Sequence, residues 1–139
     1  MSRFVLDASF AMTWVIEDEQ TPVSLKHFNA LNRREAEALV PAIWCDELAN
    51  VLLTVERNRR ISATAVSDWT NYFLALPLIV YPPSIEQSLI EIRPLAKAHG
   101  LSVYDASYLH LAIREQVPLA TFDRQLIKAA SQVGVKLLR

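Results

Sequence analysis

The strongest constraint on this chain is the alternation of short apolar runs with longer stretches of helical periodicity. Phe4–Leu6, Leu78–Tyr81, Pro118–Phe122 and Val135–Leu138 are mostly apolar and too short for core helices. Such runs, without polar alternation, suit strands covered on both faces, as in a parallel sheet. Leu39 to Trp44 is also apolar but broken by Pro41, and reads as a brief strand or extended loop.

Helical patterns fill the intervals. Phe10 and Trp14 lie four apart in a segment from about Ala8 to Ile16. Thr21-Pro22 marks a second start, with Pro at the first helical position, and the helix runs to about Asn32. From Asp46 the residues Leu48, Val51, Leu52 and Val55 follow i, i+3, i+4, i+7. Ser62 caps a helix carrying Val66, Trp69, Tyr72 and Phe73, and Ser84 starts one that Pro94 kinks or splits and His99-Gly100 ends. Two more run from Val103 to about Gln116 and from Asp123 to near Gly134. About seven helices against four or five short strands predict an α/β fold, a parallel sheet with helices on both faces.

The 139 residues suffice for a single domain, 1–139, with its own core. A hydrophobic share of 52% with only two glycines excludes a disordered or loop-dominated chain. The lone Cys45 has no internal disulfide partner, which suits a reducing cytoplasm, and it is expected to be buried. Asp7 interrupts the first apolar stretch, unlike a signal peptide, and no run reaches the roughly 18 residues of a membrane span. The expectation is a soluble cytoplasmic protein. With a net charge of −1 and a pI of about 6.3, bulk electrostatics would not hold a nucleic acid.

Asp7, Glu47, Asp105 and Asp123 each sit where a strand or loop hands over to a helix. In parallel α/β domains the carboxyl ends of the strands carry the site, so these acids converge there if the fold is as predicted. Two like charges about 4 Å apart repel by about 4 kcal/mol at an effective dielectric of about 20. A hard divalent cation compensates such a cluster, because Mg²⁺ prefers oxygen ligands. The structural alternative is helix capping for each Asp, and a favourable helix-dipole position for Glu47. Asp46 competes with Glu47 and is the better cap.

The segments Val5-Leu6-Asp7-Ala8-Ser9, Glu47-x-x-Asn50-x-Leu52, Tyr104-Asp105-Ala106-Ser107-Tyr108-Leu109-x-Leu111-Ala112 and Leu119-Ala120-Thr121-Phe122-Asp123 closely resemble the PIN-domain family. Within it the chain looks most like the VapC toxins of toxin–antitoxin pairs. The resemblance covers essentially the whole chain, with the segments in family order. It implies a three-layer α/β/α fold around a short-stranded, mainly parallel sheet, and an endoribonuclease that hydrolyses RNA phosphodiester bonds. It places metal ligation and catalysis on Asp7, Glu47, Asp105 and Asp123, with Mg²⁺ as cofactor and Mn²⁺ as substitute. Ser9, Asn50 and Thr121 would support that site, Asn50 by holding Glu47 from one turn away. The partners implied are a VapB-type antitoxin, an RNA such as tRNA or rRNA, and a second copy in a homodimer, with a heterotetramer or larger assembly when antitoxin is bound.

Arg124, next to Asp123, is the preferred substrate-binding candidate; Arg33-Arg34 and Arg57, Arg59 and Arg60 read equally well as solvated helix ends. Most of Phe10, Trp14, Trp69, Tyr72 and Phe73 belong to the core, and some to a groove for an antitoxin helix. Tyr104 and Tyr108, the aromatics around Asp105, read as core residues in preference to substrate-stacking ones. Two other functions stay open on the residues alone: a non-catalytic PIN-like binding module, and a small-molecule metal-dependent phosphatase. His27, His99 and His110 fit no nucleophile-elbow pattern, and two glycines exclude a Walker-type loop.

Overall fold

The computed structural model describes all 139 residues. Strands β1 (Ser2–Leu6), β2 (Ala36–Pro41), β3 (Leu78–Tyr81) and β4 (Leu119–Ala120) form one parallel sheet in the order β3-β2-β1-β4. Seven helices connect and cover it: α1 (Ala8–Val15), α2 (Pro22–Asn32), α3 (Ile43–Arg57), α4 (Ala63–Ala75), α5 (Arg93–His99), α6 (Val103–Glu115) and α7 (Arg124–Val133). This is the three-layer α/β/α architecture expected. Phe4, Val5 and Leu6 are fully buried because β1 has a strand on each side, β2 and β4.

Local chemistry sets most of the boundaries. Thr21 and Ser24 exchange side-chain and backbone hydrogen bonds ahead of α2, a reciprocal cap, and Pro22 takes the first turn. Gly100 and Gly134 follow α5 and α7 in the left-handed conformation, at φ 64° and 76°. Before Pro94 the helix widens to π geometry over Gln87–Ile92, and the Arg93 N–H reaches back five residues to the Ser88 carbonyl. That widening is the form taken by the interruption expected at Pro94, whose ring clashes with the preceding turn of an α-helix.

Several expectations need correction. The apolar run Leu39 to Trp44 divides at Pro41, which ends β2, and α3 starts at Ile43 rather than Asp46. Cys45 is exposed, because α3 turns Trp44 and Leu48 to the core and leaves the intervening side outward. The run at Leu78–Tyr81 is a strand but not a buried one. As the sheet edge β3 has only β2 beside it, and Val80 is 46% exposed. Val135–Leu138 makes a single bridge, Leu119 to Leu137, since β4 offers only two residues to pair with.

The core of the helical layer gathers around Trp14, which is fully buried and lies against Phe10, Phe28 and Phe73. Its Nε1 donates to the Ser24 carbonyl at 2.8 Å, fastening α1 to the first turn of α2. Trp14→Ala removes the ring and leaves that carbonyl without its donor. The expected loss is about 3–5 kcal/mol in urea unfolding, with an unchanged denaturant slope. A loss below about 1 kcal/mol would mean the cluster does not hold the layer.

Candidate active site

The chain leaves β1 toward β2 and β3 on one side and returns to β4 on the other, so the order of strands reverses between β1 and β4. Crevices at such switch points, outside the carboxyl ends of the strands, are where α/β sheets bind ligands. Asp7 follows the last residue of β1, and Thr121 follows the last residue of β4. The two strands are paired there, Leu6 against Ala120.

Asp7 occupies the cap position of α1, yet its side chain caps nothing. Its Oδ2 instead accepts from Ser9 Oγ at 2.6 Å and from Thr121 Oγ1 at 2.7 Å. Each hydroxyl in turn accepts from a backbone N–H: Ser9 from Phe122 at 3.1 Å, Thr121 from Asp123 at 3.0 Å. Both hydroxyl protons are thus committed to Asp7, and the 3.3 Å approach of Ser9 to Thr121 is a contact of two acceptors. The carboxylate is 4% exposed, and its Oδ1 takes no hydrogen bond and is not sealed from solvent.

The other acids arrive from different elements. Asp123 does cap: its Oδ1 accepts from the Leu126 N–H at 2.9 Å, at the start of α7. Asp105 lies in the first turn of α6, but Ser102 is the cap there, accepting from the Asp105 N–H at 3.0 Å. The Asp105 carboxylate is left without a capping task. Glu47 is beyond the first turn of α3, where Asp46 alone fills the dipole-favoured place. Of four acids with a ready structural explanation, one uses it.

The Glu47 carboxylate accepts from Tyr108 Oη at 2.6 Å, across 61 residues of sequence. Tyr108 is fully buried, and burial followed by this bond pushes its phenol far up, so it stays a donor at any working pH. Asn50, expected to support Glu47, lies exposed and makes no hydrogen bond to it. The available signal was the rule that a buried tyrosine hydroxyl finds a partner, here applied one turn after Asp105 on the same helix.

Charge repulsion shows that the four acids share one neighbourhood. Burial pushes Asp7 up despite its two hydroxyl donors, and the charges of Asp105 and Asp123 push it further. Glu47 is raised by burial, then by Asp7 and Asp105, against the bond from Tyr108. Asp105 is raised by burial and by Asp123, against the Ser102 contact. All donors here are oxygens, with no histidine or cysteine among them, which suits Mg²⁺ or Mn²⁺ better than zinc. No three acidic, His or Cys side chains close into a ready cage. An open arrangement fits Mg²⁺, which keeps several waters and uses one or two carboxylates directly.

Of the basic residues, Arg124 is exposed beside Asp123 with no ion pair. Arg60 lies 3.9 Å from Glu19, and Arg34 donates to the Ala75 carbonyl. His27 is buried between Phe4 and Phe10, while His99 and His110 meet Gln132 and Glu91.

The sequence matches the family profile of the PIN domain over residues 4–132. Among solved structures, PAE2754 of Pyrobaculum aerophilum has a TM-score of 0.67 at 25% identity, over 92% of this chain and 79% of that one. VapC20 of Mycobacterium tuberculosis, a Sarcin-Ricin loop cleaving toxin, has a TM-score of 0.62 at 12% identity, over 91% and 94%. FitAcB of Neisseria gonorrhoeae follows at 0.55 and 17%, over 98% and 96%. The last two are likenesses of fold. No curated protein gives a significant match.

Two expectations come from this geometry. Asp7, Glu47 and Asp105 bind protons more tightly folded than unfolded, so stability falls as pH rises from their ordinary values, 3.8 and 4.5, through the raised ones. Without divalent cations, Asp105→Asn therefore melts higher than the parent at neutral pH, and the gap narrows on acidification. A melting point lowered at neutral pH would refute the repulsion. Tyr108→Phe keeps the ring and removes the donor, and should cost about 1–2 kcal/mol in chemical denaturation. A neutral change would show that Glu47 does not depend on it.

Proposed function

This chain belongs to the PIN domain family, and on that premise we propose that it is a metal-dependent endoribonuclease, the toxin of a VapBC-type toxin–antitoxin pair. The observation that carries the reading is the convergence of carboxylates released from capping. Asp105 and Asp123 act on Asp7 by charge, and Asp7 and Asp105 on Glu47, a mutual repulsion that a folded protein has no structural reason to bear. The neighbouring fold of VapC20, a Sarcin-Ricin loop cleaving toxin, supports RNA as the substrate to test first.

Asp7, Glu47, Asp105 and Asp123 are the residues that would hold Mg²⁺ or Mn²⁺. Such an ion, when bound, lowers the pKa of water and stabilises charge on the phosphate oxygens. The protein's own part is to fix the oxygens. Ser9 and Thr121 pin Asp7 Oδ2 and leave Oδ1 free of hydrogen bonds. Tyr108 fixes one oxygen of Glu47, and the Leu126 N–H fixes one of Asp123. With their protons held by Asp7, Ser9 and Thr121 position the site rather than attack the phosphate. Arg124, exposed next to Asp123, is the cation available for a neighbouring phosphate.

The same reading gives the chain, 1–139, the role of a single catalytic domain, forming a homodimer and binding a VapB-type antitoxin. A cavity of about 620 Å³ lies beside α1 and α4, lined by Ile16, Ile61 and Trp69 together with Glu17, Asp18 and Arg60. A mixed lining of this kind, with both acids and an arginine beside apolar side chains, is the place proposed for an amphipathic antitoxin segment. No helix is long and apolar enough to cross a membrane, and a cytoplasmic toxin is consistent with that.

The test is cleavage of total cellular RNA by partner-free protein, with Mg²⁺ or Mn²⁺ against EDTA. Discrete fragments are expected only with metal. Asp105→Asn should reduce their rate by more than the roughly 10–100-fold that loss of an outer-sphere partner costs. Fragments that persist in EDTA, or in Asp105→Asn at parental rate, would overturn the assignment.

A further inference from the structure

Phe122 stands between Thr121 and Asp123, inside the segment that builds the site, yet 41% of it is exposed. One face of its ring lies flat on Phe10, with centroids 4.7 Å apart and planes 3° from parallel. Phe10 is itself buried and packed edge-on against Trp14. The backbone N–H of Phe122 is held by Ser9 Oγ, the hydroxyl bound to Asp7. The ring is thus fixed from behind and from its own backbone, and presents its remaining surface outward. Core packing does not require this exposure.

That surface forms one wall of a cavity of about 410 Å³, lined also by Ser9, Met12, Thr13, Glu19, Thr21 and Asp123. Ser9 and Asp123 belong to the carboxylate site as well, so the cavity adjoins it. Its only ionised groups are acids, Glu19 and Asp123. A phosphate is therefore unwelcome in the cavity, whereas a flat neutral ring is not. Met12 supplies a polarisable thioether, and thioethers pack well against aromatic edges. Thr21 Oγ1 accepts from the Ser24 N–H and keeps its proton to donate, and the Glu19 carboxylate accepts.

Resting on the ribonuclease reading, we propose that this cavity is a nucleobase subsite, in which Phe122 stacks on the base of a nucleotide flanking the scissile phosphate. Every base has a π-face, so the ring supplies affinity for single-stranded RNA without strict sequence demand. The rim adds preference. Glu19 accepts from an exocyclic amine, which cytosine, adenine and guanine carry and uracil lacks.

The test uses a short single-stranded RNA centred on a cleavage site mapped with the parent protein. Phe122→Leu should raise KM by about tenfold, within the range that loss of one base–aromatic stack produces, and leave kcat within about twofold. Phe122→Trp and Phe122→Tyr, which keep a ring over Phe10, should retain parental KM. An abasic residue at one of the two flanking positions should remove the difference between Phe122→Leu and the parent. Melting curves of all variants separate this from loss of fold, since a structural defect follows melting temperature and not the abasic site. Equal KM in Phe122→Leu, or a KM rise that persists with both abasic substrates, would overturn the subsite while leaving the nuclease intact. A parent protein inactive on every RNA would instead sink the functional reading and the subsite with it.

Discussion

A buried aspartate with two hydroxyl donors on one oxygen ties the end of the first strand to the end of the fourth. Asp7 brings the β1 end, Thr121 the β4 end, and Ser9 the first turn of α1. Because each hydroxyl also accepts a backbone N–H, the loop from Phe122 to Asp123 is set by the same three oxygens. The position of Asp123, the start of α7 and the outward face of Phe122 all follow from that small network. β4 has only two residues in the sheet, too few to fix this edge by backbone pairing alone. The side-chain bonds supply the registration that a longer strand would have given.

The network also explains why the acids tolerate one another. Burial and neighbouring charge push Asp7 up, and the two hydroxyls oppose that shift without cancelling it. Tyr108 does the same for Glu47 and Ser102 for Asp105, each by one contact. The fold thus places specific donors at Asp7 and Glu47 and still leaves both carboxylates raised. Retained repulsion of this kind clusters at functional sites, where stability is not the only demand on the residues.

Much of this was legible in the residues. The uncharged runs Phe4–Leu6 and Pro118–Phe122, followed by Asp7 and Asp123, put those two acids at strand ends, because strand burial and strand ends leave a compositional trace. Thr21-Pro22, Gly100 and Gly134 marked helix ends by mechanisms that act within a few residues. What sequence could not show was pairing over distance. Nothing local distinguishes Tyr108, which reaches Glu47 across 61 residues, from a core aromatic. Asn50 had the better local argument, one turn from Glu47, but α3 begins earlier than its periodicity suggested and turns Asn50 to solvent. The edge position of β3 was hidden for the same reason: strand order is a global property, and an edge strand such as Leu78–Tyr81 can look as apolar as a central one.

Charge distribution links the site to its recognition problem. The chain carries 14 basic and 15 acidic side chains, so no surplus of positive charge draws a polyanion in. Around Asp7 the balance is worse, since Asp105 and Asp123 add their negative charge to its own. A cation between them is one way to reverse the sign locally. Another is to bind the substrate by something other than its phosphates. A ring backed by Phe10 and set beside Asp123 does that, because stacking is insensitive to the surrounding negative charge and to salt in a way that Arg–phosphate contacts are not. On the ribonuclease reading, a chain without surplus positive charge gains affinity from the bases, and Phe122 is where the fold leaves an aromatic face to provide it.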